Sequence, residues 1–283
     1  MRRPRRQRRR VQTFDAMIPN ILTTFALCAG LTALRFSLEG RFEAAVEALV
    51  VAAVLDTFDG LIARMLNQTS SFGAQLDSLS DFLSFGIVPA VMLYLWSLNG
   101  LGLAGWAFAL VFAVCCALRL ARFNVGVDKP VPPELKGYFT GVPSPAGAGL
   151  VLAPLLISFY AEGVVADFFS SPVVVAIFVV GVAALMVSQV PTFSLKMVRI
   201  PHRYRLVTML GVAIFAAALV SAPWPTFTVF LTVYLLSLPF GWLSYNRRKQ
   251  RLETAGTPDA EDDDAAAGPA GGVPLSVIEA NRK

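Results

Sequence analysis

The sequence predicts an all-α integral membrane protein of about eight transmembrane helices, and three observations carry that prediction. Hydrophobic residues make up 55% of the 283 positions, charged residues only 15%, and the mean hydropathy is +0.62, which leaves too little charge to clothe a water-facing globule. Apolar runs of roughly the 20 residues needed to cross a bilayer recur along the chain, separated by Gly, Pro or charge. If each run crosses, all but two of the 24 Lys and Arg fall on one side of the membrane.

The elements follow in order. Seven of the first ten residues are Arg, and this arm, taken as 1–16, suits anionic lipid headgroups rather than nucleic acid. A span over 17–36 follows; the eight spans after a basic arm favour a retained first helix over a cleaved signal segment. Arg41 precedes a span over 42–66, and the third covers 74–97. Asn99-Gly100 leads into 101–123, and Pro143 and Pro145 open 143–160. The last three are expected over 172–190, 205–222 and 224–244, the final pair divided only by the SAPWP stretch at 221–225. The transmembrane domain is thus expected over 17–245. Residues 246–283, rich in Ala, Gly, Pro and Asp, read as a disordered tail, and the DDD run there as a solvated acidic linker. With the N-terminus in the cytoplasm, the outer face keeps only Arg35 and Arg41, both termini are cytoplasmic, and the expected location is the inner membrane. Cys28, Cys115 and Cys116 lie in apolar stretches without metal-ligand spacing, so no disulfide or zinc framework is expected.

The informative segment is DTFDGLIARMLNQTSSFGAQLDSLSDF, beginning at Asp56. Asp56 and Asp59 are three apart at the end of one span, and Asp77 and Asp81 four apart at the start of the next, so each pair shares a helical face. The short link makes these helices antiparallel neighbours whose carboxylate pairs can face each other. Even one such charge costs roughly 2.5–3.5 kcal/mol in a membrane helix, so four require a cationic partner. With Arg64 the sole interleaved base, a hard divalent ion, Mg²⁺ or Mn²⁺, fits an all-carboxylate set, and carboxylate-held Mg²⁺ usually works on substrate phosphates. Gly60 and Ala63 leave room for a nucleotide or pyrophosphate beside the backbone, while Gly73 sits where the chain turns into the third span. Both sets of small residues equally suit close helix packing.

Asp56, Asp59-Gly60, Ala63-Arg64, Gly73, Asp77 and Asp81 reproduce the pattern D-x2-D-G-x2-A-R-x8-G-x3-D-x3-D, eight fixed positions over 26 residues. In this the chain resembles the CDP-alcohol phosphatidyltransferase family. The resemblance implies a membrane enzyme, generally a homodimer, that uses two divalent metals to displace CMP from a CDP-linked lipid by an alcohol. It further implies that Asp56, Asp59, Asp77 and Asp81 hold metal and that Asp81 is the general base. Asn20, Gly60, Ala63, Arg64 and Gly73 then contact the nucleotide or CDP-lipid.

The acceptor is indicated by weaker motifs. IPNILT at 18–23, RLARFNV at 119–125, FTGVPSPAGAG at 139–149 and VSQVPTFSLK at 187–196 resemble the bacterial branch that makes phosphatidylserine from CDP-diacylglycerol and L-serine. Arg119, Arg122 and Asn124 are candidates for holding the acceptor or a lipid phosphate, although Arg119 and Arg122 also suit plain anchoring at a cytoplasmic face. Two alternatives stand beside this: the same chemistry on glycerol 3-phosphate, an inositol phosphate or choline, and, from another class, an ion or solute transporter. Against transport, the aspartates lie at helix ends and no inverted repeat is visible. A mechanism needing two histidines is excluded, because His202 is the sole histidine.

Overall fold

A computed structural model describes residues 17–66, 70–126, 138–188, 191–193 and 205–255. The chain divides into two units, 1–242 and 243–283, and of the second only helical residues up to Ala255 are described. The basic arm, the loop containing Lys196, Arg199 and His202, and the acidic tail from 256 lie outside the described residues.

Helices α1 (Ile18–Leu38) and α2 (Phe42–Met65) form a tight hairpin. Its turn is a Schellman closure in which the Arg41 amide donates to Phe36 O at 2.9 Å and the Gly40 amide to Ser37 O at 3.1 Å. Gly40 has φ 74°, a conformation that a Cβ would strain. Arg35 and Arg41, the two bases expected on the outer face, both reach Glu39, at 2.8 and 3.5 Å. Along α1 the buried stripe runs Pro19, Thr23, Ala26, Gly30, Ala33 and Ser37; along α2 it runs Ala45, Leu49, Ala52 and Asp59. Both follow the helical period, and their small residues let the backbones approach closely. The α2 stripe therefore changes from apolar to acidic without leaving the face that packs on α1.

The third span is one unit, Ser71–Trp96, built from α3 (Ser71–Phe82), a π-turn (Leu83–Ile87) and α4 (Val88–Trp96). It starts three residues before the expected position because Ser70 caps it, its Oγ accepting from the Gly73 amide at 2.9 Å. A short 3₁₀ turn leads to α5 (Leu103–Gly126). Beyond it come α6 (Ser144–Val151), α7 (Ala153–Ser158), α8 (Val164–Ser170), α9 (Pro172–Val187), α10 (Arg205–Ser221) and α11 (Pro223–Ala255). Among the described residues the all-helical expectation has one exception, a three-residue antiparallel pair of β1 (Tyr138–Thr140) with β2 (Pro191–Phe193). The buried core is apolar, with Phe85, Phe112, Met92, Leu155 and Met186 fully enclosed. Outside it, Phe25, Leu110, Val114, Leu118 and Ile177 are exposed on long helices, as lipid contact requires.

The chain is a multi-pass membrane protein, but the expected eight spans are not all reproduced. Among the described residues four helices are long and apolar enough to cross, five if α8 and α9, bent by 55°, count as one. Each departure has a local cause. Helix α2 has the length but carries Glu43, Glu47, Asp56, Asp59 and Arg64. The expected 143–160 span is split into helices of 8 and 6 residues at Leu152, where Pro154 removes an amide from the first turn of α7. The expected 172–190 span is α9, which starts where expected but has only 16 residues, and α8 precedes it across the bend at Ser171-Pro172. Helix α10 has 17 residues, short of the usual length. The division of the last pair is clear: Ala222 breaks the chain, and Phe215 and Phe230 meet at 5.8 Å between ring centroids. Helix α11 runs to Ala255, so the first ten residues of the expected tail are helical; RRKQRLETA consists mostly of strong helix formers, and Gly256 follows.

Candidate active site

The site gathers where α1, α2 and α3 meet. Asp56 and Asp59 lie one helical turn apart on α2, and Asp77 projects from the second turn of α3. One oxygen from each lies within 4.8 Å of the others, close enough for a single ion to bind all three. Asp59 is only 4% exposed, yet among the described residues none of the three, nor Asp81, forms an ion pair with Lys or Arg. Converging carboxylates without a protein counter-charge fit a divalent cation by the chemistry of their donors.

Asp81 occupies a different place. One turn beyond Asp77, it lies outside the three-carboxylate cluster. Its Oδ1 is buried and has no hydrogen-bond partner. The next turn is the π-turn, where Gly86 lies against Cys116 of α5; a Cβ there would meet Cys116 Sγ at 3.2 Å. Such π-turns recur at functional sites because the extra residue re-aims the side chains around it.

The small residues separate into two kinds. A Cβ on Gly60 would meet nothing within 4 Å, so open space lies beside that backbone. A Cβ on Gly73 would meet Asn20 Oδ1 at 2.6 Å and Ser70 Oγ at 3.0 Å. Gly73 is thus not a turn glycine: it sits within the first turn of α3, without positive φ, and lets Asn20 of α1 press against α3. Arg64 is exposed and donates from Nε to Gly60 O at 2.9 Å, and Ala63 is half-buried beside it.

Of the acceptor candidates, Arg119 turns inward and is only 9% exposed, its Nη1 donating to Ser144 Oγ at 2.5 Å. Plain anchoring at the membrane face does not describe it. Arg122 spends its guanidinium on the end of α9, donating to Val187 O at 2.7 Å and Ser188 O at 3.1 Å. Asn124 is exposed and donates to Ser78 Oγ at 2.9 Å, tying the end of α5 to the turn of α3 that carries Asp77.

Sequence reasoning passed over Thr23 and Ser144. The Thr23 hydroxyl lies 2.5 Å from Asp59 Oδ2 and 3.0 Å from Pro19 O. It has one proton, and the buried carboxylate is the stronger acceptor, so Thr23 orients Asp59. The helical period of the α1 stripe was the available signal for Thr23. Ser144, in the Pro-Ser-Pro segment, gave no comparable signal, because its partner is 25 positions away.

Comparison with known proteins identifies relatives of the chain. Residues 16–180 match the family model described as CDP-alcohol phosphatidyltransferase, and residues 203–239 match one described as CDP-alcohol phosphatidyltransferase 2. The chain is similar to the CDP-diacylglycerol–serine O-phosphatidyltransferase of Mycobacterium leprae (strain TN), 37% identical over 248 residues, covering 87% of this chain and 79% of the relative. Its counterpart in Mycobacterium tuberculosis (strain ATCC 25618 / H37Rv) is 36% identical over 226 residues, 79% of this chain and 77% of the relative. That of Helicobacter pylori (strain ATCC 700392 / 26695) is 30% identical over 230 residues, 80% and 91% of the two chains.

Proposed function

The chain belongs to the CDP-alcohol phosphatidyltransferase family, and from that premise we propose that it transfers the phosphatidyl group of CDP-diacylglycerol to the hydroxyl of L-serine, releasing CMP. The observation that carries the chemistry is the convergence of Asp56, Asp59 and Asp77 next to an Asp81 whose Oδ1 is free. The similarity to serine-specific relatives over most of the chain carries the acceptor.

Asp56, Asp59 and Asp77 would hold a divalent metal, Mg²⁺ or Mn²⁺, and Asp81 would contribute to a second ion. Bound there, the metal would supply the positive charge that neutralises the pyrophosphate and the departing CMP. Thr23 fixes one oxygen of Asp59, leaving the other to the site. The open backbone at Gly60, with Ala63 and Arg64 along the same helix and Asn20 against Gly73 opposite, forms the cleft for the CDP moiety. Asp81 accepts the serine hydroxyl proton as the new P–O bond forms at the lipid-side phosphorus and the bond to CMP breaks. The free Oδ1 suits that task, since an oxygen already spent on another donor is a poorer acceptor.

The enzyme works from the cytoplasmic side of the inner membrane as a homodimer, with both termini cytoplasmic and the Arg-rich arm on anionic lipid. The deciding experiment measures CMP and lipid product from purified protein given CDP-diacylglycerol, Mg²⁺ or Mn²⁺ and a panel of alcohols. Serine-dependent CMP release is expected, and Asp81→Asn abolishes it while CDP-lipid binding persists. Turnover with glycerol 3-phosphate alone would overturn the acceptor assignment, and undiminished turnover in Asp81→Asn would remove it as the base.

A further inference from the structure

Arg119 and Asp81 present an unusual pair of vacancies in the hydrogen-bond inventory. Asp81 Oδ1 and Arg119 Nε are both buried, and neither has a partner. The two residues lie on facing helices between two contacts, Asn124 Nδ2 to Ser78 Oγ at 2.9 Å on one side and Gly86 against Cys116 on the other, and yet they form no ion pair. Opposite charges facing each other in a low-dielectric interior ordinarily meet, because pairing offsets the desolvation of both. Arg119 is held by another partner instead: its Nη1 is tied to Ser144 Oγ, which is itself fully buried at the first position of α6. Arg122, one turn along the same helix, is engaged with the end of α9.

We propose that Arg119, held by Ser144, selects the acceptor: its guanidinium takes the carboxylate of the incoming amino acid while the hydroxyl of the same molecule lies against Asp81. This rests on the serine assignment above. In serine two carbon atoms separate the hydroxyl-bearing oxygen from the carboxyl carbon, so a base and a carboxylate binder must be neighbours across the site, as Asp81 and Arg119 are. The planar guanidinium matches a carboxylate with directed N–H donors, and the bond from Ser144 pre-orients it. An alcohol without a carboxylate leaves a buried cation unpaired, and that loss is the source of the discrimination.

The test compares wild type, Arg119→Gln, Arg119→Lys and Ser144→Ala for CMP release with L-serine, L-serine methyl ester and ethanolamine, and determines KM for CDP-diacylglycerol at saturating serine. Arg119→Gln is expected to lower kcat/KM for serine by about 10- to 100-fold while leaving that for the methyl ester near its wild-type value. The serine-to-ester preference therefore collapses, and KM for CDP-diacylglycerol does not move. Arg119→Lys retains part of the preference, having the charge without the fork, and Ser144→Ala loses part of it. An unchanged serine-to-ester ratio in Arg119→Gln, or a rise in KM for CDP-diacylglycerol matching the loss on serine, overturns the proposal; the latter would assign Arg119 to the lipid phosphate. Should Arg119→Gln aggregate on size exclusion, the ratios in Arg119→Lys and Ser144→Ala decide by the same criteria. Serine-dependent release by wild type with an unaltered ratio in the variants sinks this inference alone, whereas no serine-dependent release by wild type sinks the serine assignment and the inference together.

Discussion

A glycine in this site is defined by what would replace its hydrogen. At Gly73 an added methyl meets Asn20 Oδ1 at 2.6 Å, inside van der Waals contact, so α1 and α3 would have to part. At Gly60 the same methyl enters open space. Two different outcomes are expected. Gly73→Ala lowers thermal stability, by about 1–3 kcal/mol, and weakens CDP-lipid binding with it. Gly60→Ala leaves the unfolding temperature unchanged and raises KM for CDP-diacylglycerol, because the methyl occupies the cleft. Thermal unfolding in detergent alongside steady-state kinetics separates the two, and equal stability losses would show that Gly60 is a packing residue. Thr23 illustrates the complementary case, in which a polar residue on an apolar stripe serves the carboxylate opposite rather than its own helix.

Among the elements, α9 ends in an unusual way. Its last carbonyls are taken up by Arg122 of α5, and Gly141, with φ 78°, passes so close that a Cβ would lie 2.8 Å from Met186 O. A cation at a helix C-terminus also interacts favourably with the helix dipole. Arg122 is therefore a structural tie between α5, α9 and the segment leading to α6. Arg122→Gln should destabilise the protein by about 1–2 kcal/mol in thermal unfolding while leaving the serine-to-ester preference intact. Loss of that preference would instead place Arg122 at the acceptor. The contrast with Arg119, one turn earlier, is one of direction: the same residue type on the same helix faces the site in one case and a neighbouring helix end in the other.

For the whole molecule the consequence lies in metal linkage. Three helices, α1, α2 and α3, converge on carboxylates that have no protein counter-charge among the described residues, so a cation bound there would help to hold them together. Chelation with EDTA is expected to lower the unfolding temperature, and returning Mg²⁺ or Mn²⁺ should restore it. At a free metal concentration about 100-fold above Kd the stabilisation is about 2.7 kcal/mol. Asp56→Asn should blunt this response. An unfolding temperature indifferent to both chelation and metal would argue that the cluster binds no ion.

The sequence by itself determined the solvent, the helical class and the clustering of carboxylates on two neighbouring helices. Hydropathy and spacing are local quantities, and Asp56, Asp59, Asp77 and Asp81 lie within 26 residues on two adjoining helices. Not all of its eight expected spans are reproduced among the described residues, because Pro154 breaks one stretch whose composition stays apolar and α2 carries five charged residues along its full length. Only the tertiary structure decided what each polar side chain faces. Gly73 as a point of close approach depends on Asn20, the orientation of Asp59 depends on Thr23, and the different fates of Arg119 and Arg122 depend on Ser144 and the end of α9. These partners lie 25 to 65 positions away in the chain, and no periodicity along a single helix encodes which neighbour will stand opposite.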